Sequence, residues 1–317
     1  MKIILPGGSG QIGGVLARHF AGAGHDVVIL SRSQPSEVSH SGRIVGWDGA
    51  AIGPWAEELE GADAVINLAG KSVNCRYHEA NRAKIYSSRL DSTRVLGEAI
   101  TACENPPRVW LNSSTATIYP HTPEPPAKTE TDPIGCGTDK PDTWQFSFDV
   151  ANRWEEAAVA FRSQLPDTRL VLLRSAMVMS PDRGGVFSVL RNLVKARLGG
   201  RVGGGEQYMS WIHDADFCMA IDRLIADDSL SGPVNLAAPH PLTQADFMAA
   251  LRDACGVTLG VQATAWMLEL AAFFLRTESE LLLKSRCVVP AKLTDAGFAF
   301  QFPEWPEAAR DLAARFQ

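Results

Sequence analysis

The sequence predicts an α/β fold: a doubly wound parallel sheet with a smaller α+β region toward its C-terminal end. Three observations predict it. Short apolar runs alternate with helix-period segments through the first half of the chain. A glycine-rich turn, Gly7-Gly8-Ser9-Gly10-Gln11-Ile12-Gly13, joins the first run to the first helical segment. The composition is that of an ordinary globular chain, 45% hydrophobic, 8% aromatic and 21% charged over 317 residues. That length suits one large α/β unit or two intimate domains. Strand–helix–strand alternation calls for a parallel sheet covered on both faces, because each crossover lays a helix over it.

The elements follow in order. Lys2–Leu5, Asp26–Leu30, Ala64–Leu68, Arg108–Asn112 and Arg169–Leu173 read as strands. Ile12–Ala23, Asn81–Ala102 and Phe148–Arg162 carry helical periodicity. Gly24 sits where a helix C-terminal glycine belongs. Pro120 to Thr143 holds six prolines and two glycines, a long loop of the kind that is often functional. Five glycines between Gly199 and Gly205 precede Trp211-Ile212-His213. A strand is expected at Val234–Ala237, then a helix from Gln244 with Thr243 as N-cap and Asp246 three residues on. The tail from Thr258 reads as helices and a short closing segment. Its most apolar stretch, Ala263 to Leu275, is 13 residues long and contains Glu269. A membrane span needs roughly 20 residues, so this stretch reads as a packed helix. The expected division is 1–178 as a nucleotide-binding domain, with 206–239 returning to it. Residues 179–205 and 240–317 form the substrate and C-terminal region.

Charge and cysteines narrow the function classes. The net charge of −6 offers no basic excess to hold a phosphate backbone, so nucleic acid is not expected as a partner. No membrane association is expected either. Cys75, Cys103, Cys136, Cys218, Cys255 and Cys287 are scattered without a C-x-x-C pair. They read as reduced thiols in a reducing compartment, and the N-terminus is too short in apolar residues for a signal peptide, so a cytoplasmic location is expected. The expected state is a monomer or homodimer acting on a small molecule.

The glycine turn carries the first chemical signal. Gly7, Gly10 and Gly13, with Ser9, Gln11 and Ile12 between them, would let a pyrophosphate approach the backbone at a helix N-terminus. A turn without a ligand is the bland alternative. NAD binders place Asp or Glu at the end of the second strand, to accept from the ribose 2′-hydroxyl. This chain has Ser31-Arg32 there. A guanidinium suits a 2′-phosphate, so the cofactor is read as NADP(H); a solvated surface arginine is the alternative. Leu68-Ala69-Gly70, after Asn67, reads as a small-residue strand end that admits the adenosine side, or as plain helix–strand packing. Gly70-Lys71-Ser72 is no P-loop, because Val65 stands where the first glycine is required. His78-Glu79 lacks the second histidine of a zinc motif, and the seven histidines offer no metal spacing. No G-x-S-x-G elbow occurs, since position 11 is Gln.

Together, these motifs resemble the extended short-chain dehydrogenase/reductases, and more narrowly their atypical NAD-dependent epimerase/dehydratase-like subgroup with a small C-terminal domain. The residues that carry the resemblance are GGSGQIG at 7–13, NLAG at 67–70 and SSRLDST at 87–93. They continue with SST at 113–115 and Tyr119, RWEE at 153–156, LRSAMV at 173–178 and GGGEQYMSWIH at 203–213. GPVNLAAP at 232–239, VVP at 288–290 and GFAF at 297–300 complete the match over nearly the whole chain. The resemblance implies a Rossmann-like domain, a C-terminal substrate region and a nicotinamide cofactor between them. It implies Ser113 beside the cofactor and Ser114 or Thr115 as the substrate-orienting hydroxyl; a strand-end turn is the alternative role for those hydroxyls. Arg89 stands where this subgroup has Arg, to hold a phosphate or a substrate anion, or else to form a helix-surface salt bridge. Tyr119 is the tyrosine of a site loop, able to donate a proton, or an ordinary core tyrosine. His213 and Asp216 match a family motif, with a buried histidine bonded to backbone as the plainer reading.

The chain departs from the family at the catalytic pair. None of Tyr77, Tyr86, Tyr119 and Tyr208 is followed four residues on by Lys. The RWEE register places the expected lysine at Ala151. Nucleotide-sugar epimerases carry an arginine where Met209 stands, so a UDP-sugar is not expected. The reading is an NADP(H)-binding oxidoreductase or epimerase-like enzyme on a small substrate. The alternative is a non-catalytic NADP(H)-binding sensor or scaffold.

Overall fold

The computed structural model describes residues 1–32, 41–137, 140–182, 184–262 and 284–316. Seven parallel strands form the central sheet: β1 (Lys2–Pro6), β2 (Asp26–Ser31), β3 (Arg43–Gly46), β4 (Ala64–Asn67), β5 (Val109–Thr115), β6 (Arg169–Ser175) and β10 (Gly232–Leu236). Their spatial order is β10-β6-β5-β4-β1-β2-β3. This is a Rossmann-like doubly wound sheet, and the strand order reverses between β1 and β4.

Along the central strands, successive side chains face alternate cores. Ile3, Leu5, Val27, Ile29, Ala64, Ile66, Val109 and Leu111 face one core. Ile4, Val28, Leu30, Val65 and Trp110 face the other. The first core is closed by α1 (Gln11–Gly22) and α5 (Asp214–Ala226). The second is closed by α2 (Glu79–Thr101) and α3 (Asp142–Val159), with Trp47 and Trp55. Because both faces are covered, the strands read as continuous apolar runs.

A third core lies beyond the C-terminal side of the sheet. Phe187, Leu190 and Val194 of α4 (Val186–Lys195) pack with Phe247, Met248 and Leu251 of α6 (Gln244–Ala254) and with Trp305 and Leu312 of α8 (Trp305–Arg315). The Trp305 ring stacks on Phe247 at 4.0 Å and its indole N–H donates to the Phe247 carbonyl. Short strands link this unit to the sheet: β7 (Met177–Met179) pairs with β9 (Trp211–His213), and β8 (Tyr208–Met209) with β11 (Leu242–Thr243). The expected cap is present, with the Thr243 hydroxyl accepting from the Asp246 N–H. Helix α3 starts six residues before the expected Phe148, with Asp142 in its first turn. The short helix α7 (Ala291–Asp295) precedes α8. The expected helix over 263–275 lies outside the described residues. No described helix is long and apolar enough to cross a membrane.

Candidate functional site

The glycine turn leaves β1 at the point where the strand order reverses. Its glycines are there for contact as well as for φ. Gly7 has φ +75°, and a Cβ on it would lie 2.7 Å from the Ala69 Cα. A Cβ on Gly13 would lie 2.2 Å from the Gly8 carbonyl oxygen. The turn therefore packs backbone against backbone and brings 67–70 alongside it. Helix α1 begins at Gly10 with no side-chain cap and no acidic residue in its first turn. Among the described residues, the N–H groups of Gln11 and Ile12 have no backbone acceptor, and the helix dipole there is unneutralised. Ser9 and Gly10 are exposed on this face. Uncapped donors, a positive helix end and a backbone cradle fit a dinucleotide diphosphate.

Beside the turn, the Ser31 hydroxyl donates to Ser9 Oγ at 3.0 Å. Arg32, exposed at the end of β2, forms no ion pair with another described residue. Across the turn, Asn67 is buried and shapes the Leu68-Ala69-Gly70 bend. Its Oδ1 accepts from the Ala69 N–H, and its Nδ2 donates to Asn112 Oδ1 at 2.8 Å and to Thr93 Oγ1 at 3.2 Å. Trp154 of α3 donates its indole N–H to the same Thr93 oxygen. This buried web fixes the ends of β4 and β5 and the indole of α3 in one piece.

A cavity of about 380 Å³ opens at the C-terminal ends of these strands. Gln11, Ile12, Leu68, Arg89, Ser113, Ser114 and Thr115 line it together, so these expected residues converge. Its other walls include Tyr77, Phe146, Trp154 and Met177. The sequence reading missed these; the stripe Phe146, Val150, Trp154 at helical spacing on α3 is the signal that could have found them. Arg286 also lines the cavity, brought there from the C-terminal segment. Its N–H reaches Thr117 Oγ1 at 3.1 Å, and the Ser210 hydroxyl ties the same segment down through the Arg286 carbonyl. A larger and more open hollow of about 530 Å³ lies beside α1, away from these strand ends. Its Arg18 and Arg315 are already paired with Asp182 and Asp214.

The hydroxyls divide. Ser114 is buried and donates to Glu155 Oε1 at 2.6 Å. Thr115 accepts from the Thr117 N–H at 3.2 Å, which leaves its own proton uncommitted among the described residues. Tyr119 lies outside the cavity lining. It is 2% exposed, accepts from Arg174 at 2.9 Å and donates to Asn235 Oδ1 at 2.9 Å. Burial, despite the nearby Arg174, pushes its phenol above the ordinary value. The expectation of Tyr119 as proton donor thus meets a physical obstacle: the hydroxyl is committed on both sides and sealed behind the strands. Tyr86 is also unsuited to act as a base, because burial and the bond to Asp149 push it up to about 12. Ala151, at the expected lysine position, is fully buried.

Arg89 projects from α2 against Gly70 and over the Trp154 ring, 4.9 Å from its centroid. It donates to the Lys71 and Ile85 carbonyls and has no carboxylate partner among the described residues. Burial lowers its pKa to about 10, so it remains cationic at neutral pH. His213 follows the plainer reading: Nδ1 accepts from the Ala215 N–H, and Nε2 lies 3.0 Å from Asp311. Among the described residues no cluster of His, Cys, Asp and Glu has the geometry of a metal site.

Residues 3–237 match the model of the NAD dependent epimerase/dehydratase family, and 263–312 match a domain of unknown function (DUF1731). The human epimerase family protein SDR39U1 is 30% identical over 319 residues, covering 99% of this chain and all of that protein. The epimerase family protein MW0731 of Staphylococcus aureus is 31% identical, with 98% of each chain covered. The crystal structure of the human protein with NADPH superposes with a TM-score of 0.84 at 27% identity, covering 99% of this chain and all of that one. On its sequence and its sheet, the chain belongs to the NAD-dependent epimerase/dehydratase family, with an NAD(P)-binding Rossmann-like fold.

Proposed function

We propose that this protein is an NADP(H)-dependent oxidoreductase of the atypical short-chain type, acting on a small carbonyl or alcohol compound. The observation that carries the proposal is a single juxtaposition. An uncapped helix N-terminus with no acidic residue in its first turn lies behind a glycine cradle, and Arg32 is exposed at the adjoining strand end. Gly7, Ser9, Gly10, Gln11, Ile12 and Gly13 would receive the diphosphate. Ser31 and Arg32 would receive the 2′-phosphate, and Leu68, Ala69 and Gly70 the adenosine side. Ser113 and Arg89 stand where that cleft meets the cavity. The NADPH complex of the similar human protein supports this choice of cofactor.

When bound, the cofactor supplies or accepts a hydride. The chain supplies position and proton. Thr115 lines the cavity with a hydroxyl proton uncommitted among the described residues, fit to donate to a carbonyl oxygen. Ser114, held by Glu155, fixes the strand end that carries Thr115. Apolar walls from Phe146, Val150 and Met177 exclude water. General acid catalysis contributes about 10²–10⁴-fold. A chain with no lysine-tuned tyrosine should therefore turn over slowly and favour reduction, where a neutral hydroxyl only has to donate. The protein works on small molecules, in the cytoplasm, as a monomer or homodimer, without nucleic acid or membrane.

One observation favours a non-catalytic NADP(H)-binding role instead: Ala151 stands at the lysine position, and Tyr119 and Tyr86 are locked by Arg174 and Asp149. A screen of activated carbonyls for NADPH oxidation separates the readings. Slow turnover, reduced more by Thr115→Ala than by Tyr119→Phe, is the expected result. Inactivity across the screen, with NADPH bound, overturns the enzyme reading in favour of a sensor or scaffold.

A further inference from the structure

We propose that the cavity selects a small carbonyl compound carrying a carboxylate, which Arg89 holds; this rests on the oxidoreductase reading above. Charge comes first. Two arginines, Arg89 and Arg286, line the cavity, and no Asp or Glu is among its described lining residues. Other arginines of limited exposure do meet carboxylates, as Arg174 meets Glu155 and Arg169 meets Asp228. Arg89 meets none among the described residues. A cation held without a counter-charge among apolar walls is costly, and an arriving anion removes that cost.

Geometry gives the direction. Both hydrogen bonds of Arg89 leave from Nη1, to the Lys71 and Ile85 carbonyls. The Nε and Nη2 donors have no partner among the described residues. They are not sealed either, since the fully buried unpartnered side-chain nitrogens are those of Trp47, Trp110, Trp211 and Arg169. The free edge of the guanidinium therefore opens on the cavity, with Nε and Nη2 presenting the fork that a carboxylate accepts bidentately. The Trp154 ring, its centroid 4.9 Å from the Arg89 Cζ, restricts the movement of the guanidinium. The wall carrying Tyr77 and Phe146, whose rings meet edge-on at 4.9 Å, is aromatic. Thr115 lines the same cavity, so one molecule can place its carboxylate on Arg89 and its carbonyl oxygen on Thr115. At about 380 Å³ the cavity admits only a small or singly aromatic acid alongside the reacting end of a dinucleotide.

The test uses the full chain saturated with NADPH and titrated by calorimetry. The probes are benzoylformate and 2-oxobutanoate, each against its methyl ester. NADPH affinity is measured separately by its fluorescence. The native protein should bind at least one acid tenfold or more tightly than its ester. Arg89→Gln should abolish that difference while changing NADPH affinity less than threefold, and Arg89→Lys should retain part of it. If neither acid is bound more tightly than its ester, the proposal is overturned. So too if Arg89→Gln weakens NADPH tenfold and leaves the acid preference intact, since Arg89 then serves the cofactor's diphosphate. The native comparison stands even where a variant fails to fold. Absence of NADPH binding by the native protein would instead be the failure of the oxidoreductase reading, and the fluorescence titration shows it separately.

Discussion

Glu155 and Arg174 form an ion pair with side chains 9% and 6% exposed, joined by two hydrogen bonds of 2.8 Å. Ser114 bonds to the carboxylate and Tyr119 to the guanidinium, so one buried network underlies the strand end that presents Thr115. Removing one partner of such a pair leaves a charge unpaired and costs about 3–5 kcal/mol. Glu155→Ala should lower the unfolding free energy by that amount, read from urea denaturation. Tyr119→Phe removes a hydroxyl bonded on both sides and should cost about 1–3 kcal/mol. Its effect on turnover should stay below about tenfold, because the hydroxyl does not reach the cavity, whereas Thr115→Ala should lower kcat further. A thousandfold loss in Tyr119→Phe with normal stability and NADPH affinity would mean that this hydroxyl is the acid after all.

At the scale of the element, the proposed nucleotide binding rests on the β1–α1 turn. Gly13 has no room for a methyl group, because the obstacle is the Gly8 backbone. Gly13→Ala should push α1 from β1 and weaken NADPH more than tenfold by fluorescence titration. Gly22→Ala, at the far end of the same helix with nothing within 4 Å, should leave binding unchanged. Equal effects of the two changes would contradict this account of the turn. Much of this element was legible in the sequence, because a glycine's lack of side chain and a strand's apolar run are local properties. The main strands themselves were legible for the same reason. Other features were not. Strand β3 is a half-buried edge (Arg43–Gly46) with little apolar signal, and β7, β8, β9 and β11 are two or three residues long. Tyr119 looked like a site residue from its place in a loop. Its burial depends on Arg174 and Asn235, which arrive from 55 and 116 residues away. Arg286 entered the cavity wall through contacts with Thr117 and Ser210 that no local pattern announces.

At the scale of the molecule, residues 300–316 are fastened to α5. The His213 ring stacks on Phe302 at 3.9 Å, and Asp216 accepts from the Gln301 and Phe302 N–H groups. Arg315 donates to Asp214 at 2.6 Å. Burial holds His213 below its ordinary pKa, against the pull of Asp214 and Asp311. The unfolded chain therefore binds the proton better than the folded one. This contribution to stability is full above about pH 6.5 and is lost as pH falls through the folded pKa. The urea midpoint should drop on acidification, and the stability gap between the native protein and His213→Gln should narrow as pH falls; a gap that widens would contradict the assignment. The fastening secures the C-terminal segment against α5, and the proposed function requires NADP(H) in the cleft at the sheet ends. A charge-assisted bond contributes about 1.5–3 kcal/mol, and about 1.4 kcal/mol is a factor of ten. The decisive measurement is a fluorescence titration of the native protein with NADPH and with NADH, repeated on Arg32→Ala. The native protein should bind NADPH at least tenfold more tightly than NADH, a preference erased in Arg32→Ala with NADH affinity nearly unchanged. Equal affinity of the native protein for the two dinucleotides would contradict it.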